Sequence, residues 1–232
     1  MKNLIIMALL SLLVQSCNNA SQSKPSFQDA NIQCGNVKFI NSINLADETV
    51  TDMGDVLSMT ASGQTDLFCD PKGVATNTSA PLLMTPIDNT KPFTFTVKVH
   101  PQFTENGTYS AGAVLAFVDK THWQKLCFEQ DEESNHRIVT VRTVDSSDDN
   151  NHERSDSTSV YLRLSSDTKV IGNYYSEDGD NWHLVRIYKN EYPYDLYLSL
   201  SAQSPKDIKH TCLFSEITLV DRAVSDFRKG NM

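Results

Sequence analysis

Two β-like runs joined by a short polar turn constrain the fold more than any other feature of the chain. The first run, Tyr109–Val118, is apolar, and the second run, Trp123–Glu129, alternates between apolar and polar residues. The four polar residues Asp119–His122 separate them, which is the pattern of a β-hairpin. The hairpin indicates an antiparallel sheet.

The second run of this hairpin separates an apolar face from a polar face. Side chains of a strand alternate between the two faces of its sheet. Leu126 and Phe128 therefore point one way, and the opposite face carries an aromatic ring, a cation and an anion, Trp123, Lys125 and Glu129. We expect the apolar face to pack in the core and the polar face to be exposed to a polar ligand.

Short strand-like segments recur along the rest of the chain. Val170–Tyr175 and Trp182–Tyr188 flank a turn whose Asp178-Gly179 pair suits a backbone with positive φ. A carboxylate of this turn binding calcium is an alternative to a purely structural turn. No long segment shows helical periodicity, and many short strands joined by turns predict a sandwich or a barrel.

The N-terminal residues have the pattern of a bacterial lipoprotein signal. Lys2 precedes the apolar segment Leu4–Val14, which is too short to span a bilayer. The sequence Leu13-Val-Gln-Ser-Cys17 then resembles a lipobox, in which the cysteine is lipidated; an ordinary secretory signal is the alternative. We predict a signal peptide over residues 1–16, a flexible tether over 17–30, a β-sandwich over 31–222 and a polar tail over 223–232.

The net charge of the chain argues against one class of function, and its N-terminal sequence predicts a cellular location. The net charge is -9, and no cluster of Lys and Arg is present, which argues against nucleic-acid binding. A lipid anchor would hold the domain to the membrane of a bacterial cell envelope, on its extracytoplasmic side. The histidines show no paired metal-binding motif, and we predict neither a metal nor a cofactor.

The cysteines of the mature chain leave two alternatives open. An oxidising compartment permits disulfides. The spacing of Cys34, Cys69, Cys127 and Cys212 shows no metal-binding pattern and does not decide between bridges and buried free thiols.

Several segments, taken together in their order, resemble a known family. They are Phe93-Thr-Phe-Thr-Val-Lys-Val99, Ala111-Gly-Ala-Val-Leu115, His122-Trp-Gln-Lys-Leu126, Val160-Tyr-Leu-Arg-Leu164 and Tyr175-Ser-Glu-Asp-Gly-Asp-Asn-Trp182. They resemble the domain-of-unknown-function family labelled "regulation of enolase" proteins, within the concanavalin A-like lectin/glucanase superfamily. The resemblance covers about Leu57–Val220. It implies an all-β fold, a concanavalin A-like jelly-roll sandwich of two antiparallel sheets with one concave sheet. Superfamily relatives bind or cleave carbohydrate.

The acidic stretch Asp145–Ser159 departs from the family. We expect it to form a hydrophilic loop that is either disordered or a long loop at the rim of the sandwich.

Glu129, Asp131 and Glu133 are similar to the motif of retaining glucanases, in which two carboxylates lie about 5 Å apart on one strand face. Because polar residues surround them, we interpret this segment as a solvated turn and predict no catalytic residues.

Strand parity predicts one ligand-binding face. Arg142 and Arg163 are expected beside Lys125, because their neighbours Val141 and Leu162 look inward, and two tyrosines could add aromatic walls. The predicted ligand-binding residues are Trp123, Lys125, Glu129, Arg142, Arg163, Tyr161 and Tyr175. The surplus of positive charge favours an anionic sugar or another carboxylate. An exposed face that binds nothing is the alternative.

The sequence thus predicts a membrane-anchored lipoprotein that binds a glycan or a similar polar ligand without catalysis. A glycoside hydrolase or polysaccharide lyase on the same fold is one alternative. A structural subunit of an envelope complex is the other. A buried pair of close carboxylates would favour the enzyme, and a large exposed apolar patch without a cleft would favour the structural subunit.

Overall fold

The computed structural model describes residues 26–232. The predicted signal peptide, Cys17 and most of the tether lie outside these residues. The described part contains one helical turn, α1 (Ala46–Thr49), and no helix long and apolar enough to cross a membrane. Its strands are β1 (Gln28–Cys34), β2 (Val37–Ile43), β3 (Val50–Asp52), β4 (Val56–Ser62), β5 (Leu67–Cys69), β6 (Thr76–Thr78), β7 (Leu82–Asp88), β8 (Phe93–Pro101), β9 (Ala111–Asp119), β10 (His122–Gln130), β11 (His136–Val144), β12 (Ser146–Arg154), β13 (Val160–Ser166), β14 (Val170–Ser176), β15 (His183–Lys189), β16 (Asp195–Gln203) and β17 (Lys209–Val220).

The strands form two large antiparallel sheets. The eight-stranded sheet has the order β1-β2-β7-β16-β9-β10-β11-β12, and the seven-stranded sheet has the order β15-β14-β13-β8-β17-β4-β3. β5 and β6 form a separate small hairpin. The predicted all-β jelly-roll sandwich of two antiparallel sheets is confirmed.

On each central strand, every second side chain points into the space between the two sheets and helps to fill it. Leu126 and Phe128 of β10 are fully buried there, as predicted. They share the cluster with the alternating apolar residues of β8, which are Phe93, Phe95, Val97 and Val99. Burial of one such side chain contributes about 1.5–3 kcal/mol, so this alternation largely decides the register.

A second apolar cluster lies on the opposite face of the eight-stranded sheet, which is turned away from its partner sheet and is called the distal face below. Phe117 and Trp123 form part of it. Leu67 of β5 belongs to the same cluster, and Phe68 packs against it. Most of the distal face is therefore buried as well.

The acidic stretch expected to form a loop is an edge strand. β12 pairs with β11 in antiparallel register, with Arg142 opposite Asp148 and Thr143 opposite Ser147. The expectation of a loop was wrong because the segment contains no large apolar residue. Charged and polar side chains are suited to a sheet edge, because they discourage further pairing with other chains.

The C-terminal tail packs on the seven-stranded sheet, on the face turned away from the eight-stranded sheet, called the outer face below. Tyr174 Oη donates a 2.9 Å hydrogen bond to the Phe227 carbonyl, and the Val224 amide donates one of 2.9 Å to Ser165 Oγ. Gly230 has a φ of 73°, and a Cβ there would lie 2.6 Å from the Tyr174 ring. The residues predicted to form a polar tail over 223–232 therefore pack against this sheet. At the other terminus, β1 begins inside the predicted tether.

The four cysteines are buried free thiols. None of Cys34, Cys69, Cys127 and Cys212 forms a disulfide within residues 26–232. Cys127 lies on the distal face, whereas Cys34 and Cys212 belong to the core between the sheets. Of the two alternatives, the structure contains the free thiols.

Candidate ligand-binding site

A cavity of about 400 Å³ opens on the distal face. Its floor is formed by β10 and β11, one side by the edge strand β12, and another by the start of β5. The lining residues are Asp66, Phe68, Tyr109, Lys125, Glu129, Asp131, Glu132, Val139, Val141, Asp149, Asn151 and Gln203. The volume lies within the range of about 300–1,000 Å³ typical of small-molecule sites.

Strand register explains why these residues share one face. Residues that pair across antiparallel strands point to the same side of the sheet. Lys125 pairs with Val141, and Val141 pairs with Asp149. Two residues further along β10, on the same face, Cys127 pairs with Val139. The edge strand thus brings a carboxylate to the lysine of the central strand.

Trp123 is not the exposed aromatic ring that parity predicted. Its side chain points to the distal face, as expected, but it is fully buried in the second apolar cluster. Its indole Nε1 donates a 3.2 Å hydrogen bond to the Lys120 carbonyl. Its burial in this cluster leaves Trp123 no free surface for a ligand.

Arg142 points away from the cavity. It pairs with Gln124, whereas the cavity residue Lys125 pairs with Val141. Its guanidinium lies 5.2 Å from the Tyr188 ring and 3.6 Å from Glu191. The prediction assumed that Val141 faces the core between the sheets, and this was wrong because Val141 packs on the buried distal face.

The remaining predicted residues belong to the other sheet. Arg163 and Tyr161 lie on the outer face of β13, and Tyr175 of β14 packs in the core between the sheets. The expectation that Trp123, Lys125, Glu129, Arg142 and Arg163 share one exposed face was therefore wrong. Lys125 and Glu129 are the two that the structure brings together in the cavity. A ligand-binding role of any of the seven stays a prediction.

Lys125 is a buried cation held by several acceptors. Its side chain is 3% exposed, and its Nζ donates hydrogen bonds of 3.0 Å to the Leu67 carbonyl and 2.8 Å to Gln203 Oε1. Asp66 Oδ1 lies 3.9 Å away. Burial alone lowers the pKa of Lys125, but the acidic groups of Cys127, Asp66 and Glu129 outweigh it, and the pKa is raised. Lys125 therefore stays charged.

Glu129 is a buried acid in the last part of β10. Gln203 Nε2 donates a 3.3 Å hydrogen bond to Glu129 Oε2. Burial raises the pKa of Glu129 to about 8, although the charge of Lys125 opposes the rise; Asp66 and Asp149 add to it. At neutral pH the carboxyl group therefore holds its proton and can both donate and accept a hydrogen bond.

The interpretation of residues 129–133 as a solvated turn was wrong for its first part. β10 continues to Gln130, which keeps Glu129 buried. Asp131 is also buried. Although burial raises its pKa, hydrogen bonds from the Asn135 amide and from Arg137 lower it overall. Glu133 is exposed and pairs with Arg154 at 2.8 Å. The three acids thus differ in environment, and the absence of a catalytic role stays a prediction.

The cavity is acidic overall. Five carboxyl-bearing residues line it, against the single cation Lys125. The predicted surplus of positive charge is not formed, because neither arginine lies there. Within residues 26–232, no group of three or more His, Cys, Asp or Glu side chains is arranged to hold a metal. The cavity is therefore suited to a neutral ligand with many hydroxyl groups rather than to an anion.

Asp149 and Gln203 are among the cavity residues that the sequence did not indicate. Asp149 belongs to the segment interpreted as a loop. Gln203 ends β16, in which Tyr197, Ser199 and Ser201 share its parity. The alternation of β16 was visible in the sequence, so extending it to Gln203 would have indicated a polar side chain on the same face.

Comparisons place the chain among proteins of similar fold. A family model described as "Protein of unknown function (DUF1349)" matches residues 43–221. A comparison with curated proteins found no match. The family match does not carry the "regulation of enolase" label, which stays a prediction.

Three solved structures illustrate the likeness. A functionally unknown protein from Saccharomyces cerevisiae has 20% identity and a TM-score of 0.70 over 78% of this chain and 95% of its own. A GH43 protein from Bacillus licheniformis has 14% identity and a TM-score of 0.60 over 79% of this chain and 36% of its own. The carbohydrate-binding module CBM66 from Bacillus subtilis has 11% identity and a TM-score of 0.50 over 74% and 90%. At these identities the likeness concerns the fold alone.

Proposed function

The chain belongs to the DUF1349 family of proteins of unknown function, and we propose that it binds a neutral carbohydrate in the distal-face cavity. One observation carries the proposal. Glu129 is a buried acid that keeps its proton at neutral pH inside an open cavity, next to a charged lysine and an ordered amide. Such a set of fixed donors and acceptors is suited to the hydroxyl groups of a sugar.

The other lining residues support the same ligand. Asp149 and Glu132 supply carboxylate acceptors, and a hydrogen bond to a charged group is stronger than one between neutral groups. Phe68 and Tyr109 supply aromatic surface for the apolar side of a sugar ring. A solved structure of similar fold is named a carbohydrate-binding module, which supports the proposal without assigning a ligand.

The proposal includes the cellular location that the N-terminal sequence indicates. Lipidation of Cys17 would tether the domain to the membrane of a bacterial cell envelope on its extracytoplasmic side. The cavity would then be presented to glycans outside the cytoplasm. The lipobox-like sequence is the support for this part.

A glycoside hydrolase is the second candidate, and the same acid favours it. A carboxyl group that keeps its proton up to about pH 8 has the property of a general acid. Hydrolysis needs a second carboxylate across the glycosidic bond. Asp66 and Asp149 line the same cavity and both act on the pKa of Glu129.

A glycan array and a reducing-sugar assay on the same preparation test the two candidates. We expect binding of neutral glycans without release of reducing ends. Release that is abolished by Glu129→Gln in a folded protein would replace the binding function by the hydrolase. If no glycan binds and none is cleaved, the carbohydrate proposal is wrong and a structural subunit is the remaining alternative.

A further inference from the structure

A second concave site lies on the outer face of the seven-stranded sheet, remote from the cavity described above. It is a groove of about 570 Å³. β13, β8 and β17 form its floor, the β14–β15 turn forms one wall and the β1–β2 turn forms the other. The residues that matter are Asn36, Tyr161, Arg163, Trp182, Glu216 and Thr218.

Arg163 is a buried cation at the floor of this groove. It is 7% exposed, and its guanidinium lies 3.5 Å from the centre of the Trp182 ring. Nε donates a 2.9 Å hydrogen bond to Thr96 Oγ1, and Nη1 donates one of 2.6 Å to the Gly230 carbonyl. Both partners are neutral. In the described part of the chain, no carboxylate forms an ion pair with Arg163 and Nη2 has no hydrogen-bond partner.

The absence of a counter-charge has an energetic consequence. Burial lowers the pKa of Arg163 to about 10. A buried charge is costly unless it is paired, so most proteins supply a carboxylate at such a position. Here the position stays open toward a groove, and an anion entering the groove would gain both a charge pair and planar hydrogen bonds from the guanidinium.

The acid on the strand that forms the groove floor, Glu216, is already paired elsewhere. Glu216 lies at a bulge of β17, with a φ of 49°. Its carboxylate accepts hydrogen bonds from Tyr161 Oη at 2.8 Å and from Lys98 Nζ at 3.2 Å. Asp55 lines the far wall and forms no ion pair with Arg163. The bulge therefore directs Glu216 to Lys98 and leaves Arg163 without a partner.

The walls of the groove are fixed. Asn36 Nδ2 donates a 2.7 Å hydrogen bond to the Leu219 carbonyl, and the Leu219 amide donates one of 2.9 Å back to Asn36 Oδ1. Gly35 has a φ of 57°, and a Cβ there would overlap the Ile217 carbonyl. On the opposite wall, Trp182 lies edge-on to Tyr161 with 6.5 Å between ring centres. The two aromatic rings are partly exposed. Lys98 Nζ lies 5.1 Å from the centre of the Tyr161 ring and the Arg163 guanidinium stacks on Trp182, so a ligand would contact the remaining exposed surface of each ring.

We propose that this groove is a second ligand site, specific for a carboxylate-bearing sugar of the hexuronate class. The carboxylate pairs with the free edge of Arg163, and the sugar ring packs against Trp182 and Tyr161. Both kinds of contact are typical of saccharide recognition by arginine and aromatic side chains. The site is independent of the cavity, because it lies on the other sheet and has the opposite preference for charge.

The two tryptophans of the chain allow a direct test. Trp182 lies in the groove, and Trp123 is buried on the distal face. We would follow both indole N–H signals by NMR on the full-length chain while adding sodium glucuronate, glucose or sodium acetate. We expect glucuronate to shift the Trp182 signal saturably and to leave Trp123 unchanged. We expect glucose and acetate to bind at least about tenfold more weakly, since each lacks one of the two contacts.

Variants decide whether Arg163 is responsible. Arg163→Gln should weaken glucuronate binding about tenfold or more, with an unchanged Trp123 signal as evidence of folding. If that variant does not fold, Trp182→Leu measured by calorimetry should show a comparable loss. The proposal is overturned if glucuronate gives no saturable shift of Trp182, if glucose or acetate binds as tightly, or if a folded variant binds glucuronate like the parent protein. None of these outcomes affects the proposal for the cavity, whose test uses residues of the other sheet.

Discussion

The ammonium group of Lys125 donates a 2.8 Å hydrogen bond to Oε1 of Gln203, and this bond turns the amide nitrogen of Gln203 toward Glu129. Lys125 therefore acts on Glu129 in two ways, through its charge and through the orientation of the amide. The same ammonium also donates a hydrogen bond to the Leu67 carbonyl. It therefore links the floor of the cavity to the start of the small β5–β6 hairpin.

This relationship predicts the effect of Lys125→Met. The change removes two buried hydrogen bonds and leaves Gln203 and the Leu67 carbonyl without their donor. We expect a loss of about 2–4 kcal/mol in the free energy of unfolding. Urea unfolding measures the loss, and hydrogen exchange should become faster over residues 66–69. Lys91→Met is the control, because that side chain is 72% exposed; equal effects of the two changes would contradict the structural role.

The raised pKa of Glu129 predicts a pH-dependent stability. An unfolded glutamate has a pKa of about 4.3, whereas folded Glu129 titrates near 8. Between these values the folded state holds a proton that the unfolded state has lost, so stability falls as pH rises through this window. Since one pKa unit corresponds to about 1.4 kcal/mol, the fall should amount to a few kcal/mol.

Glu129→Gln provides the test of this dependence. The neutral amide has no proton to lose, so the stability of the variant relative to the parent protein should rise steadily between pH 5 and pH 8. Urea unfolding at several pH values measures the difference. Glu105 is exposed, so Glu105→Gln is the matched control. Its free energy of unfolding should change with pH in the same way as that of the parent protein. If the free energy of unfolding of Glu129→Gln changed with pH like that of the parent protein, Glu129 would be ionised over the whole range from pH 5 to pH 8.

The packing of the C-terminal tail predicts a difference between two glycine substitutions. Gly230 and Gly73 have similar φ values of 73° and 67°, so alanine is similarly strained at both. A Cβ at Gly230 would also press on Tyr174, whereas Gly73 has nothing within 4 Å. Gly230→Ala should therefore cost about 1–3 kcal/mol more than Gly73→Ala. Equal costs in urea unfolding would mean that the tail does not pack as described.

The lipobox-like sequence predicts lipidation of Cys17. Without the thiol no lipid can be attached, so Cys17→Ser should move the protein from the detergent phase to the aqueous phase in a partitioning experiment. Cys34→Ser, a change at a buried thiol of the sandwich, is the control and should stay in the detergent phase. Unchanged partitioning of Cys17→Ser would remove the anchor from the proposed function.

The alternation of single strands was sufficient to predict the fold class. The hairpin over Tyr109–Glu129 corresponds to β9 and β10, and the alternating residues of β8 lie in the core as expected. The edge strand β12 could not be recognised, because its stability comes from pairing with β11 and not from apolar side chains of its own.

The composition of the candidate site was harder to predict. Lys125 and Glu129 were found because both lie on one strand. Arg142 was misplaced because both faces of the eight-stranded sheet are buried, so an apolar neighbour such as Val141 does not identify the core face. Asp149 reaches the cavity only through strand pairing, which a single sequence does not contain.

Calorimetric titration of two neighbouring variants with the neutral glycan selected by the array tests the central claim most directly. Asp149 and Asp148 are exposed and adjacent on β12, but Asp149 lines the cavity and Asp148 lies 3.5 Å from Arg186 on the other face. We expect Asp149→Ala to weaken binding about tenfold, as for a lost hydrogen bond to a charged group, and Asp148→Ala to bind like the parent protein. Unchanged binding by Asp149→Ala, or an equal loss in both variants, would contradict a carbohydrate site in the distal-face cavity.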